Sequence, residues 1–272
     1  MSSEVLKAEN PFSDELGTTV KAAKEAGAII MALFGKDYRV EEKSKGNPVT
    51  TADLEANRKI REIIRGRYPA DGWLSEEDRD DGKRLEASRV WVVDPIDGTK
   101  EFIAGVPQFA VSIGLVIEGH PVLGVVYNPA EEKLYRAVKG CGAHRNDQQI
   151  HVSMRGEVEG ASLLVSRSEP RRKFQSFVNL CRLEHIGSIA YRLAMVAAGE
   201  GDGTLTFRSL REWDVCAGVL IVEEAGGVVV DGGGCGLVFN QEDTQYRGIV
   251  ASNEILAQSL QGMLARILAE KR

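Results

Sequence analysis

Two aspartates stand three residues apart in the stretch Trp91-Val92-Val93-Asp94-Pro95-Ile96-Asp97-Gly98-Thr99-Lys100-Glu101-Phe102. Carboxylates so placed suit a hard divalent cation, which takes oxygen ligands. Val90 to Val93 read as the end of a buried strand. Pro95 fixes φ and carries no N–H, so it is expected to end that strand and start a turn. Gly98 allows backbone geometry closed to other residues and lets a ligand approach. A helix opening near Thr99 would add N–H groups that attract an anion. One short segment could therefore hold a divalent metal and the phosphate it activates. Asp-Pro and Asp-Gly are also common turn pairs, and either aspartate could do no more than cap a turn.

Four further acids fall where an element begins or ends. Asp53 opens a helix, Glu76 and Glu77 follow a short extended piece, and Asp214 opens the helix after Trp213. Acidic side chains are favoured at helix N-termini, so Asp53 and Asp214 also read as caps, and Glu76-Glu77 as a charged surface turn.

The elements that must position these acids follow from periodicity. Helices are expected over Leu16–Phe34, with Val20, Ala23, Ile30 and Phe34 on one face, and from the stretch Thr50-Thr51-Ala52-Asp53 to about Arg67, with Leu54, Ile60, Ile63 and Ile64 inward. Between them lie a short strand near Tyr38–Glu42 and a polar loop, Lys43 to Val49. Phe109–Val116, Pro121–Tyr127 and Lys133–Val138 read as three strands joined by short turns, a meandering antiparallel sheet, followed by a loop, Gly140 to Asp147, that could present Ala143 to Arg145 on a hairpin. A second half begins near Ile150. It has strands at Ser162–Ser166, His185–Ser188, Leu205–Phe207, Val228–Val230 and Gly248–Ala251. Its helices are expected over Pro170–Cys181, Ile189–Gly199, Val215–Ala225 and Asn253–Ala269, the last with Ile255, Leu256, Leu260, Met263, Leu264 and Ile267 inward. The expected organisation is an N-terminal half, residues 1–150, carrying most of the acids, and a C-terminal half, residues 151–272, completing the site.

Composition narrows the partners. The 272 residues are 43% apolar and 27% charged, with a net charge of −6. That balance argues against a nucleic-acid polymer or an anionic membrane surface. No apolar run approaches bilayer-spanning length, and Met1 to Phe12 is a polar leader without an export core. The four cysteines, Cys141, Cys181, Cys216 and Cys235, show no close pairing, which fits a reducing cytoplasm. His120, His144, His151 and His185 are dispersed and read as structural. Arg167, Arg171, Arg172 and Lys173 cluster and read chiefly as a solvated basic face.

Taken together, Asp53, Glu76-Glu77, Asp94-Pro95-Ile96-Asp97-Gly98-Thr99 and Trp213-Asp214-Val215-Cys216-Ala217-Gly218 resemble the inositol monophosphatase superfamily of Mg²⁺-dependent, lithium-sensitive phosphatases. The resemblance runs from about Val20 to Ala251. The Lys100-Glu101-Phe102 extension, Asn47 to Asp53 and Trp73 to Glu77 are most similar to the CysQ branch, the 3'(2'),5'-bisphosphate nucleotidases. Two positions depart from that branch: Glu169 stands where histidine is usual, and Arg192 where lysine is usual.

The resemblance implies an α/β fold, a layered α+β sandwich of alternating α-β-α-β-α layers. It implies two or three Mg²⁺ ions held by Glu76, Asp94, Asp97, Asp214 and the Ile96 carbonyl, with Glu76, Thr99 and Asp53 as the catalytic group. The expected reaction is hydrolysis of 3'(2')-phosphoadenosine 5'-phosphate to AMP and phosphate by direct attack of metal-activated water, without a phosphoenzyme. Ile96, Asp97, Gly98, Thr99, Lys100, Ser188, Arg192 and Asp214 are the expected substrate contacts. The alternatives are an inositol monophosphatase or a related sugar, polyol or histidinol phosphate phosphatase and, from another class, a non-catalytic regulator that binds metal or phosphate. Homodimers are common in the family it resembles.

Overall fold

The computed structural model describes residues 10–44 and 46–269. Most of the polar leader, residues 1–9, and Lys45 of the expected loop lie outside them. Five layers alternate as helices, sheet, helices, sheet, helix. The outer helices are α1 (Ser13–Leu33) and α2 (Thr51–Arg67). Next comes a seven-stranded sheet of β3 (Gly72–Ser75), β4 (Arg89–Asp97), β5 (Ala110–Ile117), β6 (His120–Asn128), β7 (Lys133–Val138), β8 (Ala143–Arg145) and β9 (Gln148–Ile150), in chain order. All its pairs are antiparallel except β3–β4. A single-turn helix, α3 (Thr99–Ile103), follows β4.

The central layer is α4 (Ile189–Ala197) and α5 (Glu212–Glu224). Behind it a five-stranded sheet runs in the order β11-β10-β12-β14-β13. Its strands are β10 (Ser162–Ser166), β11 (Arg182–Ile186), β12 (Gly203–Arg211), β13 (Val228–Asp231) and β14 (Gln245–Ser252). Helix α6 (Glu254–Ala269) covers its far face.

Strand alternation explains the layering. In β4, Trp91 and Val93 pack into the cluster with α1 and α2, whereas Val90 and Val92 join the cluster built on α4 and α5. A strand buried on both faces reads as an unbroken apolar run, as Val90 to Val93 does. The cluster around α5 takes side chains from both sheets, so the two sequence halves share one core. Helix α5 lies very close to the seven-stranded sheet because the cross-strand partners Gly114 and Gly124 face it. A Cβ on Gly124 would stand 2.6 Å from the Ala217 carbonyl oxygen and 3.0 Å from its Cα. Gly124→Ala is therefore expected to destabilise the fold by about 1–3 kcal/mol, since neither backbone yields cheaply. Urea unfolding with an unchanged midpoint would show that the helix can lift without cost.

Several expectations are corrected. Pro95 does not end β4; the strand continues to Asp97 through a bulge between Asp94 and Asp97. The stretch expected as a loop, Lys43 to Val49, is mostly an antiparallel hairpin of β1 (Val40–Ser44) and β2 (Asn47–Thr50). Leu54 is 50% exposed, because small Ala52 and Ala56 with Ile60 and Ile64 form the α2 face that meets α1. Ile255 is likewise exposed, on the first turn of α6, while Leu256, Leu260 and Leu264 are buried. Pro170–Cys181 is not an α-helix. Only a 3₁₀ turn at Arg171–Phe174 forms there, in keeping with three basic residues and no acid in its first turn, opposite to what a helix N-terminus favours. Among the described residues no helix is long and apolar enough to cross a membrane.

Candidate active site

The site is assembled where strand ends and a helix start converge. Strands β3 and β4 are parallel with Ser75 opposite Val93, so Glu76 emerges beside Asp94, its N–H donating to the Val93 carbonyl at 3.2 Å. Ser75 is pinned by its hydroxyl bond to Asn57 Oδ1 on α2, 2.7 Å. Asp214 is the third residue of α5; its Oδ2 accepts the Arg211 N–H at 2.7 Å, which fixes the helix start and the carboxylate together. Carboxylate oxygens of Glu76, Asp94 and Asp214 lie within 4.8 Å of one another. Asp94 is buried, and its Oδ1 accepts the Ile96 N–H at 2.9 Å. Such an all-oxygen set suits a hard divalent ion, and no cysteine or histidine lines the cleft to favour a softer one.

Asp97 stands outside that triad but within its field. Its Oδ2 accepts from the Ser188 hydroxyl and from the Ala190 N–H, each at 2.6 Å. Ser188 is the N-cap of α4, held at φ +54. A left-handed serine is strained, and here the strain aims one hydroxyl at Asp97 while it accepts the Tyr191 N–H at 3.0 Å. Ser188 thus supports Asp97 rather than presenting a free group. Arg192, also expected to meet substrate, is buried, with Nη1 bonded to Thr204 Oγ1 at 2.9 Å.

The Thr99 hydroxyl is the clearest proton arrangement in the cleft. It donates to Asp53 Oδ1 at 2.9 Å, with the Ile96 carbonyl 3.1 Å away. Asp53 Oδ2 meanwhile accepts the Thr50 N–H at 2.7 Å and the Thr50 hydroxyl at 2.6 Å, closing a capping box at the start of α2. With its proton committed to Asp53, Thr99 Oγ1 keeps lone pairs to accept a hydrogen bond. Helix α3 has only five residues, so little macrodipole builds up behind Thr99. Gly98 at φ +99 would place a Cβ 3.0 Å from the Gln108 carbonyl oxygen, so the turn admits glycine alone without strain.

Crowding of like charge shows in the acids themselves. Burial first, then repulsion from Glu76, Asp97 and Asp214, holds the Asp94 carboxyl well above the usual range. Asp214 is raised by burial, Asp97 and Glu76. Asp97 is pushed up to about 6 by burial, against the lowering by its bonds to Ser188 and Ala190 and by Arg192. Glu77 is pushed up to about 7, chiefly by burial. These folded values exceed the unfolded ones, so the metal-free protein takes up protons on folding. The stability these groups contribute is full below about pH 4 and is lost as pH rises through about 6 to 7. The melting temperature in chelator is expected to fall, relative to that in excess Mg²⁺, between pH 5 and 7. A gap between the two curves that stays constant with pH would contradict this.

Several residues around the cleft were not visible in the sequence. Lys43, on the β1–β2 hairpin, bonds Glu76 at 2.6 Å and Glu77 at 2.8 Å, pairings 33 and 34 residues apart that no local pattern signals. Glu212, fully buried, accepts the N–H groups of Asn240 and Gln241 at 2.7 and 2.8 Å. Arg84 ties the same two residues to Asp80, in the loop that follows Glu76. The starts of α5 and of that loop are thereby fastened together. Arg208, Arg211 and Trp213 also line the cleft, with the Arg211 guanidinium 5.9 Å from the Trp213 ring centroid.

Comparison with known proteins agrees with this geometry. The sequence pattern described as the inositol monophosphatase family matches residues 13–272. An inositol-1-monophosphatase of Synechocystis sp. is 38% identical over 79% of this chain and 77% of its own. A fructose-1,6-bisphosphatase/inositol-1-monophosphatase of Thermotoga maritima is 34% identical over 80% of this chain and 85% of its own. A solved Thermotoga maritima IMPase superposes with a TM-score of 0.85 at 30% identity, covering 94% of this chain and 99% of that one.

Proposed function

The chain belongs to the inositol monophosphatase family, and from that premise we propose that it is a Mg²⁺-dependent phosphomonoesterase acting on a small polyol or sugar phosphate. The observation that carries this is the convergence of Glu76, Asp94 and Asp214 on one point beside the Thr99–Asp53 hydroxyl pair. Glu76, Asp94, Asp97 and Asp214, with the Ile96 carbonyl, would hold two or three ions. Bound there, Mg²⁺ would lower the pKa of water and neutralise charge on the phosphoryl and leaving oxygens. Thr99 Oγ1, its proton held by Asp53, accepts a hydrogen bond from the attacking water and so fixes its direction, with Glu76 as the second acceptor. The N–H groups of Gly98 and Thr99 receive phosphoryl oxygens. Lys43 holds the β1–β2 hairpin against Glu76 and Glu77 at the cleft mouth.

The rest of the cleft lining supports a hydroxylated substrate. Ser166, Ser168, Thr206 and Ser209 belong to it, and no aromatic residue between 166 and 192 does. A nucleotide such as 3'-phosphoadenosine 5'-phosphate would need a stacking surface. The aromatic residue lining the cleft, Trp213, has the Arg211 guanidinium over its ring. Phosphate release from inositol 1-phosphate, fructose 1,6-bisphosphate, histidinol phosphate and 3'-phosphoadenosine 5'-phosphate, with and without Li⁺, decides the substrate class. A polyol or sugar phosphate is expected to lead by about tenfold or more in kcat/KM, roughly 1.4 kcal/mol of transition-state preference. A nucleotide in the lead would keep the chemistry and move the chain to the bisphosphate nucleotidases.

A further inference from the structure

We infer that Glu169 is a positioning residue for the metal site: its buried carboxylate balances the buried Arg192 guanidinium, and that balance keeps the start of α4 set against Asp97. The inference rests on the Mg²⁺-dependent reading and adds to it a residue that does not itself line the cleft.

Arg192 and Glu169 are each 3% exposed. They come from different elements, Arg192 from α4 and Glu169 from the segment that follows β10, and both are fastened to β12. Arg192 Nη1 donates to Thr204 Oγ1 at 2.9 Å, and that hydroxyl donates on to the Leu164 carbonyl at 2.6 Å. Glu169 Oε1 accepts the Phe207 N–H at 3.0 Å, with Lys173 Nζ 3.6 Å away. Burial pushes the Arg192 guanidinium down to about 10, and the charge that opposes this most is that of Glu169, ahead of Asp97 and Glu101. Arg192 is therefore a cation at neutral pH, and Glu169 is its leading counter-charge.

A pair kept for stability alone would be expected to close into a bidentate fork. Here Arg192 Nε and Glu169 Oε2 are both buried without a hydrogen-bond partner among the described residues. Unsatisfied buried polar atoms cost stability, so their presence calls for another reason. That reason lies one turn away on α4. The Ser188 hydroxyl and the Ala190 N–H hold Asp97 Oδ2 at 2.6 Å each, and the Arg192 N–H closes the first turn on the Ser188 carbonyl at 3.2 Å. Arg192 thus belongs to the helix start that grips Asp97, one of the proposed metal ligands, and its charge favours the ionised form of that carboxyl. An unbalanced guanidinium so placed would repel a divalent ion and would be driven towards water, pulling on the start of α4. Glu169 prevents both. The two positions that depart from the CysQ-like pattern, Glu169 and Arg192, are thereby one feature of the fold.

The test is a calorimetric Mg²⁺ titration of the chelator-treated full chain, beside phosphate release from the four phosphates named above and thermal unfolding in chelator. Glu169→Gln is expected to weaken Mg²⁺ binding by about tenfold, the effect of one unbalanced charge near a divalent ion. Its kcat at saturating Mg²⁺ should stay within about threefold of the wild type's. Glu169→Asp keeps the charge and is expected to bind Mg²⁺ nearly as the wild type does. The double variant, Glu169→Gln with Arg192→Met, is expected to regain most of the lost affinity, because no buried charge of the pair is then left alone. Mg²⁺ bound by Glu169→Gln as tightly as by the wild type overturns the inference. So does a double variant that binds no more tightly than Glu169→Gln, which would make Glu169 an anchor for the Phe207 N–H and nothing more. Should Glu169→Gln unfold, the double variant decides: folded with affinity near the wild type's it upholds the balance, and unfolded or weak-binding it overturns it. Wild-type Mg²⁺ binding without phosphate release from any of the four would end the phosphatase reading alone, and the same titrations would still uphold or overturn the role of Glu169. No Mg²⁺ binding by the wild type would overturn both.

Discussion

Asp94→Asn is expected to lower kcat/KM by about three orders of magnitude or more, roughly 4 kcal/mol of transition-state stabilisation, while raising the melting temperature of the metal-free protein. The two effects have one cause. Asp94 is buried and crowded by Glu76, Asp97 and Asp214, which raise its carboxyl well above the ordinary range. Without a cation the folded chain must tolerate that repulsion or take up a proton, and asparagine requires neither. The amide oxygen still accepts the Ile96 N–H that Asp94 Oδ1 holds at 2.9 Å, so the turn survives. The gain in chelator and the loss of activity are the usual opposition between a charged site and fold stability. Scanning calorimetry in chelator and in Mg²⁺, beside steady-state rates, measures both. A variant less stable than wild type in chelator would mean that Asp94 is a structural turn residue after all.

Thr99→Val is expected to reduce kcat by about 10²–10³ with a much smaller change in KM, in the range typical of a positioned proton-handling group. Valine keeps the shape and removes the hydroxyl that Asp53 orients. Thr99→Ser should recover most of the rate, since only the methyl is lost. Asp53→Asn should act on the same step, and the double variant should lose little more than either alone, because residues that act as a unit are not additive. The stability readout separates them. Asp53 accepts three hydrogen bonds and caps α2, so its loss should cost about 1–2 kcal/mol, whereas Thr99→Val costs less. Fully additive losses would mean that the pair does not work through one hydroxyl.

Much of this architecture is legible in the sequence where local physics decides it. Val90 to Val93 announces a strand buried on both faces. Thr50-Thr51-Ala52-Asp53 announces a helix start, and the capping box that forms there brings Asp53 to Thr99. Asp94 and Asp214 stand at the ends of strongly patterned elements, so their meeting point follows once those elements are right.

What stays hidden is set by pairing over long distances. Pro95 looks like a strand terminator, but the sheet accommodates it in a bulge. The bulge that exposes Arg208 belongs to the pairing of β12 with β14, strands separated in sequence by α5 and β13. Lys43 finds Glu76 only after the hairpin folds over the cleft. Pro170 to Cys181 reads as a helix, yet Phe174, Phe177 and Cys181 reach one core through successive tight turns. Ser188 and Arg192, expected as substrate contacts, line the cleft but spend their hydrogen bonds on Asp97 and Thr204 and so brace it.

The most direct test of the central claim is a Mg²⁺ titration of phosphate release from inositol 1-phosphate and fructose 1,6-bisphosphate by chelator-treated protein, with Asp94→Asn in parallel. The account predicts no release in chelator, a saturable rise with Mg²⁺ in the wild type, and none in the variant. Release that persists in chelator, or that survives Asp94→Asn undiminished, would contradict it.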